Sequence, residues 1–269
     1  MVATPIGNLR DITHRALDTL GGADVIAAED TRNTRGLLAH FGLRTKLVAL
    51  HAHNEKRAAE SVVQWVAAGQ VVALVSDAGT PAISDPGAVV VDAVRRAGLA
   101  VFAIPGPSAL VAALSASGLA FDGVVFAGFL PARGAERKAR LAELAAGPWA
   151  IALFEAPHRV AATLGDLHAV LGDRDIVVAR ELTKKFETVT RLPLADARAW
   201  VEADDDRRRG EFVLLVEGRP APAVATFDPD TVLRALLDEL PLKQAVALAV
   251  KITGGKRNEL YERALALKK

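Results

Sequence analysis

The residues best able to do chemistry stand in one stretch, Ser76-Asp77-Ala78-Gly79-Thr80-Pro81-Ala82-Ile83-Ser84-Asp85-Pro86-Gly87. An apolar run over 71–75 feeds directly into it, and a helix-like segment follows at Ala88. A second unit of the same kind comes next. Residues 100–104 run into Pro105-Gly106-Pro107-Ser108-Ala109 and then into a helix of small residues. Ligands of open α/β sheets bind beyond the carboxyl ends of strands, where such turns collect. Glycine lets a ligand approach the backbone and proline fixes the turn. Two long turns in succession, carrying Asp77, Ser84, Asp85 and Ser108, therefore point to a binding cleft.

The elements that must position these turns alternate. Short β-branched runs over 2–4, 25–28, 46–50, 71–75 and 100–104 are expected as strands, with helices over 10–20, 35–41, 56–68 and 88–97 between them. This βαβα pattern predicts a mostly parallel sheet covered on both faces. Asp85-Pro86 reads as a helix start, aspartate as the cap and proline at the first helical position. A second α/β block begins near Phe121, with strands expected over 124–127, 151–154, 176–179, 187–191 and 212–216. Helices are expected there over 136–145, 159–171 and 194–202. Proline-rich residues after Gly218 read as a linker, followed by three helices over 230–239, 242–251 and 257–267. The organisation is thus an α/β domain over 1–118, a second over 119–218, a linker over 219–229 and a helical module over 230–269.

Composition narrows the function. The 269 residues are 51% hydrophobic and 24% charged, enough for full cores in a soluble chain. The absence of cysteine excludes a disulfide framework, thiolate zinc sites and a cysteine nucleophile. A net charge of +1 argues against an indiscriminate polyanion binder. No secretory leader and no membrane span are visible, so a cytoplasmic location is expected. Gly254-Gly255-Lys256-Arg257 lacks the spacing of a phosphate-binding loop, the first strand is not followed by GxGxxG, and no GxSxG elbow occurs. His51 and His53 could share a strand face as metal ligands, but a polar patch or a structural role is weighed above that, and no metal is expected.

Across Val2 to Gly218 the chain resembles the tetrapyrrole methylase superfamily of S-adenosylmethionine enzymes. Within it, the resemblance is to the branch that methylates a cytidine 2′-hydroxyl of small-subunit ribosomal RNA. It is carried by Val2-Ala3-Thr4-Pro5-Ile6-Gly7-Asn8, Ala28-Glu29-Asp30-Thr31-Arg32, His53-Asn54-Glu55 and the two turns above. Further on come Gly128-Phe129-Leu130-Pro131, Phe154-Glu155-Ala156-Pro157-His158-Arg159, Ala179-Arg180-Glu181-Leu182-Thr183-Lys184 and Glu211-Phe212-Val213. These agree in identity, order and spacing. Met1 stands where members carry a longer first strand, so a start further upstream is expected.

The resemblance implies two α/β domains with the donor between them, and a homodimer. It places Pro5, Gly7, Asp77, Gly79, Thr80, Ser108 and Ala109 at the donor, with Phe154 at its nucleoside end. Helix-opening turns suit the donor's carboxylate, and Asp77 suits its ammonium. Glu155 and His158 share a loop in which a carboxylate could orient an imidazole, which makes them the first candidates for substrate-side chemistry. Glu29, Asp30, Glu55, Asp85 and Glu181 remain open as a general base. Arg32, Arg35, Arg133, Arg137, Lys138, Arg159, Arg180, Lys184 and Lys185 are expected around the cleft mouth, where RNA phosphates would be met. Phe129 and Arg159 are candidates for stacking on bases. Lys251, Lys256, Arg257, Lys268 and Lys269 form a second basic patch. The near-neutral charge fits weak RNA affinity, with recognition supplied by an assembled ribosomal subunit. The alternatives are a corrin-type macrocycle methylase and a non-catalytic nucleotide- or RNA-binding protein.

Overall fold

A computed structural model of the chain describes residues 1–51, 54–219 and 228–267. It divides into two compact units, Met1–Gly218 and Arg219–Lys269.

The first unit opens with α1 (His14–Gly22), β1 (Val25–Ala28), α2 (Thr31–His40), β2 (Lys46–Ala49), α3 (Glu55–Ala67), β3 (Val72–Val75), α4 (Ala88–Arg96) and α5 (Ala109–Ala116). The strands form a parallel sheet in the order β2-β1-β3, as the alternation predicts. All four residues of central β1 are buried, which is why its sequence is apolar without alternating. The expected strands over 2–4 and 100–104 are single bridges instead. Val2 bridges Ile104 in parallel and Thr4 bridges Gly79 in antiparallel fashion. Both segments lead into proline, at Pro5 and Pro105, which has no N–H to continue a ladder.

Polar side chains close most of the helix starts in this part of the chain. Thr13, Asp30 and Ser108 each accept a backbone N–H of the helix that follows. Asp85 does not. Helix α4 begins at Ala88, where the segment over 88–97 is expected, but its cap is Gly87 at φ +135° rather than Asp85. Its first amides donate instead to Glu55 Oε1, from Gly87 N at 2.7 Å and Val89 N at 3.1 Å. A carboxylate at the start of α3 thereby caps α4, and the 76–87 turn is fixed at its far end.

The chain continues through β4 (Val124–Phe129), α6 (Gly134–Ala145), β5 (Ala150–Glu155), α7 (Val160–Leu171), β6 (Asp175–Arg180), β7 (Thr188–Pro193), α8 (Leu194–Glu202) and β8 (Phe212–Val216). Here the sheet is mixed, in the order β4-β5-β8-β6-β7, and only β4 and β5 are parallel. The parallel expectation therefore holds for the first sheet alone. A seven-residue turn joins β6 to β7, too short for the crossover that parallel strands need.

Side-chain alternation assigns the two faces of this sheet. Ile151, Leu153, Ile176, Val178, Leu214 and Val216 pack with α6, α7 and α8. Ala152, Val177, Ala179, Val213 and Leu215 face the other way, where α5 and Ile6 pack on them. That second face meets the turns of the first sheet, and its small residues leave room there.

The second unit holds α9 (Pro229–Glu239), α10 (Leu242–Thr253) and α11 (Arg257–Leu267), packed around Leu233, Val246, Ala249, Leu260 and Ala264. Asp228 caps α9 by accepting the Thr231 N–H at 3.0 Å. Of the expected linker, residues 220–227 lie outside the described residues, and Pro229 opens a helix. Among the described residues no helix is long and apolar enough to cross a membrane.

Candidate active site

The turn after β3 is strained where it bends. Ala82 and Ser84 have φ of +66° and +74°, values that side-chain-bearing residues rarely adopt. Gly79 has φ +77°, and a Cβ there would lie 3.3 Å from Ile6 Cγ2. Thr80 Oγ1 donates to Pro107 O at 3.2 Å and ties the turn to the one before α5. The two glycine- and proline-rich turns are thus fastened to each other.

Between them and the second sheet lies a cavity of about 450 Å³. Ile6, Ile83, Ala109, Phe129, Phe154, Leu182, Phe212 and Val213 are among its apolar walls. Its charged lining consists of the carboxylates Glu29, Asp77, Asp85, Glu155 and Glu211, and among the described residues no lysine or arginine lines it. Among the described residues, Glu29, Asp77 and Asp85 form no ion pair. Asp77 Oδ1 accepts the Asp30 amide at 3.0 Å, and the Asp77 amide approaches Glu29 Oε2 at 3.4 Å. Burial, then the negative field of Asp85, raises the Glu29 carboxyl above its ordinary range; the Asp77 amide offsets part of this, and Asp77 and Asp30 add to it. Burial also raises Asp85, with Asp77 adding to it and a hydrogen bond with Ser76 opposing. Two raised carboxyls, Glu29 and Asp85, in one cavity make a place that favours a cation.

Of the expected donor residues, Asp77, Gly79, Thr80, Ser108, Ala109 and Phe154 line this cavity. Pro5 and Gly7 do not. They border a smaller hollow of about 230 Å³, beside Asn33, Gly36 and the backbone turn at Ser76-Asp77. Ile6 between them lines the main cavity, at a bend of the chain that divides its neighbours between the two hollows. Gly7 is small for a different reason. A Cβ at that position would come within 2.5 Å of Lys184 Cγ, so the residue makes way for the lysine stem.

The expected pairing of Glu155 with His158 is not formed. Glu155 is 2% exposed, and its carboxylate is already satisfied. Oε1 accepts the Ala156 N–H at 2.7 Å and faces Arg159 Nε at 3.2 Å, while Oε2 accepts from Thr163 Oγ1 at 2.6 Å. Arg159 and Thr163 lie one and two turns further along the chain, near the start of α7, and take the place the imidazole was given. His158 is exposed and outside the lining.

The other base candidates separate clearly. Glu55 is occupied as the cap of α4. Hydrogen bonds from the Arg32 side chain hold Asp30 down to about 2, so it cannot take up a proton near neutrality. Burial would raise Glu181, but hydrogen bonds from Lys184 and the Glu211 amide outweigh it and lower the carboxyl. Glu29 and Asp85 remain.

The expected basic rim is thinner than its residue types suggest. Arg180 is 8% exposed and donates to the carbonyls of Asp206, Arg209 and Phe186. Arg159 Nη2 donates to Leu130 O at 2.6 Å, and buried Arg137 pairs with Asp166. Lys184 is held between Glu181 at 2.8 Å and Glu211 at 2.9 Å. These four brace the fold, because cations drawn into the protein need acceptors, which loop carbonyls and carboxylates supply here. Arg32 and Arg133 are exposed and paired only with near neighbours, Asp30 and Glu136. Such pairs are weak enough to yield to a phosphate. Phe129 is 54% exposed and meets Phe154 edge-on at 5.8 Å, so it remains available at the cavity.

His53 lies outside the described residues, and among those described no cluster could hold a metal ion. The second basic patch loses Lys268 and Lys269 to the same limit. Sequence reasoning missed Ile83, Leu182 and Val213 as cavity walls. Their only signal was a place beside quoted motifs, since apolar residues do not advertise a ligand.

Residues 1–198 match the family described as Tetrapyrrole (Corrin/Porphyrin) Methylases, and residues 224–268 match the RsmI C-terminal HTH domain. The Ribosomal RNA small subunit methyltransferase I of Vibrio cholerae serotype O1 is 50% identical over 266 residues, covering 97% of this chain and 92% of that protein. The protein of the same name from Escherichia coli O157:H7 is 49% identical over 273 residues, covering 98% and 93%. Among solved structures, cobalt precorrin-4 methyltransferase superposes with a TM-score of 0.58 at 20% identity, over 80% of this chain and 92% of that one. Diphthine synthase gives 0.60 at 15% identity, over 80% and 88%. At those identities the likeness to the two structures concerns the fold.

Proposed function

The chain belongs to the tetrapyrrole methylase family, in its ribosomal RNA small subunit methyltransferase I branch, and from that premise we propose that it methylates a cytidine 2′-hydroxyl of small-subunit ribosomal RNA. The methyl donor is S-adenosylmethionine, which supplies a methyl group already activated on a cationic sulfur. The observation that carries the reading is the cavity of about 450 Å³ whose charged lining is carboxylate throughout. A ligand with an ammonium and a sulfonium supplies the missing positive charge, and its adenosine matches the apolar walls.

In this reading Asp77 receives the ammonium, and the Ser108 turn at the start of α5 receives the carboxylate. Phe154, Leu182 and Val213 enclose the nucleoside. Gly79 keeps the wall open, since a side chain there would crowd Ile6. The protein contributes alignment first, because the leaving group needs no further activation. Glu29 is the proposed acceptor of the hydroxyl proton. It lines the cavity, is free of ion pairs among the described residues, and has its affinity for a proton raised by burial and by Asp85. Asp85 is the second choice on the same grounds. Exposed Arg32 and Arg133 would meet RNA phosphates.

The acceptor is proposed to be the RNA within a small ribosomal subunit, in the cytoplasm. A homodimer belongs to the same proposal, supported by the exposed apolar side chains of Phe102 and Val111. Labelled S-adenosylmethionine offered to unmodified subunits, protein-free rRNA and a tetrapyrrole precursor tests the function. Label retained in an alkali-stable dinucleotide is the expected result, because a blocked 2′-hydroxyl cannot cleave its neighbour. Label in the macrocycle, or in a base, would overturn the acceptor.

A further inference from the structure

The seven residues joining β6 to β7, Glu181 to Glu187, carry an aromatic ring that nothing in the fold needs. Phe186 is 66% exposed. The turn that displays it is held with unusual care. Buried Arg180 donates to the Phe186 carbonyl at 3.3 Å, and Thr188 Oγ1 donates to the same oxygen at 3.3 Å. Glu187 accepts the Thr183 amide within the turn. Glu181 and Thr183 both adopt left-handed backbone, at φ +52° and +67°, a strain that persists only where the surroundings enforce it. Thr183 Oγ1 also accepts the Asn8 amide at 3.1 Å, which fastens the turn to the first loop of the chain.

Orienting a backbone this firmly while leaving a phenyl ring in water has no advantage for stability. It does pre-pay the entropy of presenting a flat apolar surface. Lys185 Nζ lies over the ring, 5.4 Å from its centroid, so a cation covers one face and stands close to whatever meets the other. Its neighbour Lys184 is taken up by two carboxylates, whereas Lys185 is exposed. Leu182, four residues before Phe186 on the same turn, lines the cavity. One turn of chain thus carries both a wall of the candidate active site and the exposed ring.

We infer that Phe186 is a stacking platform for an unpaired nucleobase of the RNA substrate, with Lys185 meeting the phosphate beside that base. An aromatic face with an adjacent cation is what single-stranded RNA recognises, because every base offers a π face. The inference rests on the proposed RNA acceptor and extends it to a site for a second nucleotide. Acidic residues on the same turn lower the case for a general polyanion surface and favour one defined contact.

The test compares wild type with Phe186→Ala, Phe186→Leu, Phe186→Tyr and Lys185→Gln, using unmodified small ribosomal subunits and protein-free small-subunit rRNA. Each variant is first shown to bind S-adenosylmethionine as wild type does. The expected result is a KM for RNA raised roughly tenfold in Phe186→Ala and Phe186→Leu, with kcat little changed, and near wild-type behaviour in Phe186→Tyr. Lys185→Gln should flatten the salt dependence of RNA binding by about one phosphate contact. Phe186→Leu equal to Phe186→Tyr would overturn stacking. A defect seen with subunits but absent with free rRNA would assign the ring to a ribosomal protein and overturn the inference. Direct binding of a fluorescent single-stranded RNA separates the two levels of the argument. If wild type transfers no methyl group to RNA yet loses RNA affinity on Phe186→Ala, the proposed function fails and the platform stands. Full activity and full affinity in Phe186→Ala would leave the function and remove the platform.

Discussion

The carboxylates at 29, 77 and 85 and the turn between β6 and β7 both concentrate charge at the ends of strands, and they treat it in opposite ways. In the turn, Lys184 is shared by Glu181 and Glu211, and both terminal nitrogens of Arg180 donate to carbonyls. In the cavity, Glu29, Asp77 and Asp85 form no ion pair among the described residues, and burial with neighbouring negative charge raises Glu29 and Asp85. Paired charge stabilises a shape, whereas unpaired charge of one sign raises the folded state's energy until a ligand of the other sign arrives. The difference separates scaffold from site more cleanly than residue type does.

The comparison can be broken first at Asp77. Asp77→Asn keeps the size and the acceptor for the Asp30 amide but removes a charge. The expected outcome is a fall in methyl-transfer kcat/KM of roughly a hundredfold or more, with the thermal midpoint unchanged or higher. Parallel kinetics and thermal melts would check it, and a lost midpoint would move Asp77 to the scaffold. Arg180→Met probes the opposite case. It removes a donor from the carbonyls of residues 186, 206 and 209, of which 186 keeps Thr188 Oγ1 and 206 keeps the Arg209 amide, and is expected to cost about 1–3 kcal/mol in urea unfolding. Donor affinity below the unfolding transition should persist.

A smaller effect is expected at Glu55, whose Oε1 caps α4 from another helix. Glu55→Ala should lose about 1 kcal/mol of stability and weaken donor binding modestly, because the 76–87 turn loses its far anchor. Unchanged donor affinity would show that the turn holds itself. The smallest effect sharpens the comparison at Glu29. Its folded carboxyl is raised above the unfolded reference of 4.5, so its contribution is favourable below that value and is lost as pH rises through the folded value. Glu29→Gln should therefore slightly stabilise the donor-free protein at neutral pH, while solvent screening of the part-exposed group keeps the gain small. Methyl transfer should fall in the same variant. Melts and single-turnover rates, taken together, would show whether the two effects separate.

Much of this arrangement was readable locally. The apolar run over 212–216 and the helix over 194–202 fall where periodicity puts them, and Ser108 caps α5 as a serine before a helix should. Asp77, Gly79 and Thr80 reach the cavity because one turn carries them there. What the sequence hid depends on distant partners. Asp85-Pro86 had the form of a helix start, yet a carboxylate from α3 won the amides of α4. Arg159 and Arg180 have the type of surface cations, and only the carbonyls that accept from them reveal that Arg159 is half-buried and Arg180 buried. The antiparallel order around β8 is likewise set by pairing across the chain, which no local window contains.

The central claim is that the unpaired carboxylates receive a cationic donor, and calorimetry of S-adenosylmethionine binding from pH 5 to 8, in buffers of differing ionisation heat, tests it most directly. A bound cation favours the ionised forms of Glu29 and Asp85. The account predicts affinity that strengthens as pH rises through the raised carboxyls of Glu29 and Asp85, protons released on binding at the acid end, and loss of binding in Asp77→Asn. Affinity independent of pH, without proton release and unaltered in Asp77→Asn, would contradict it.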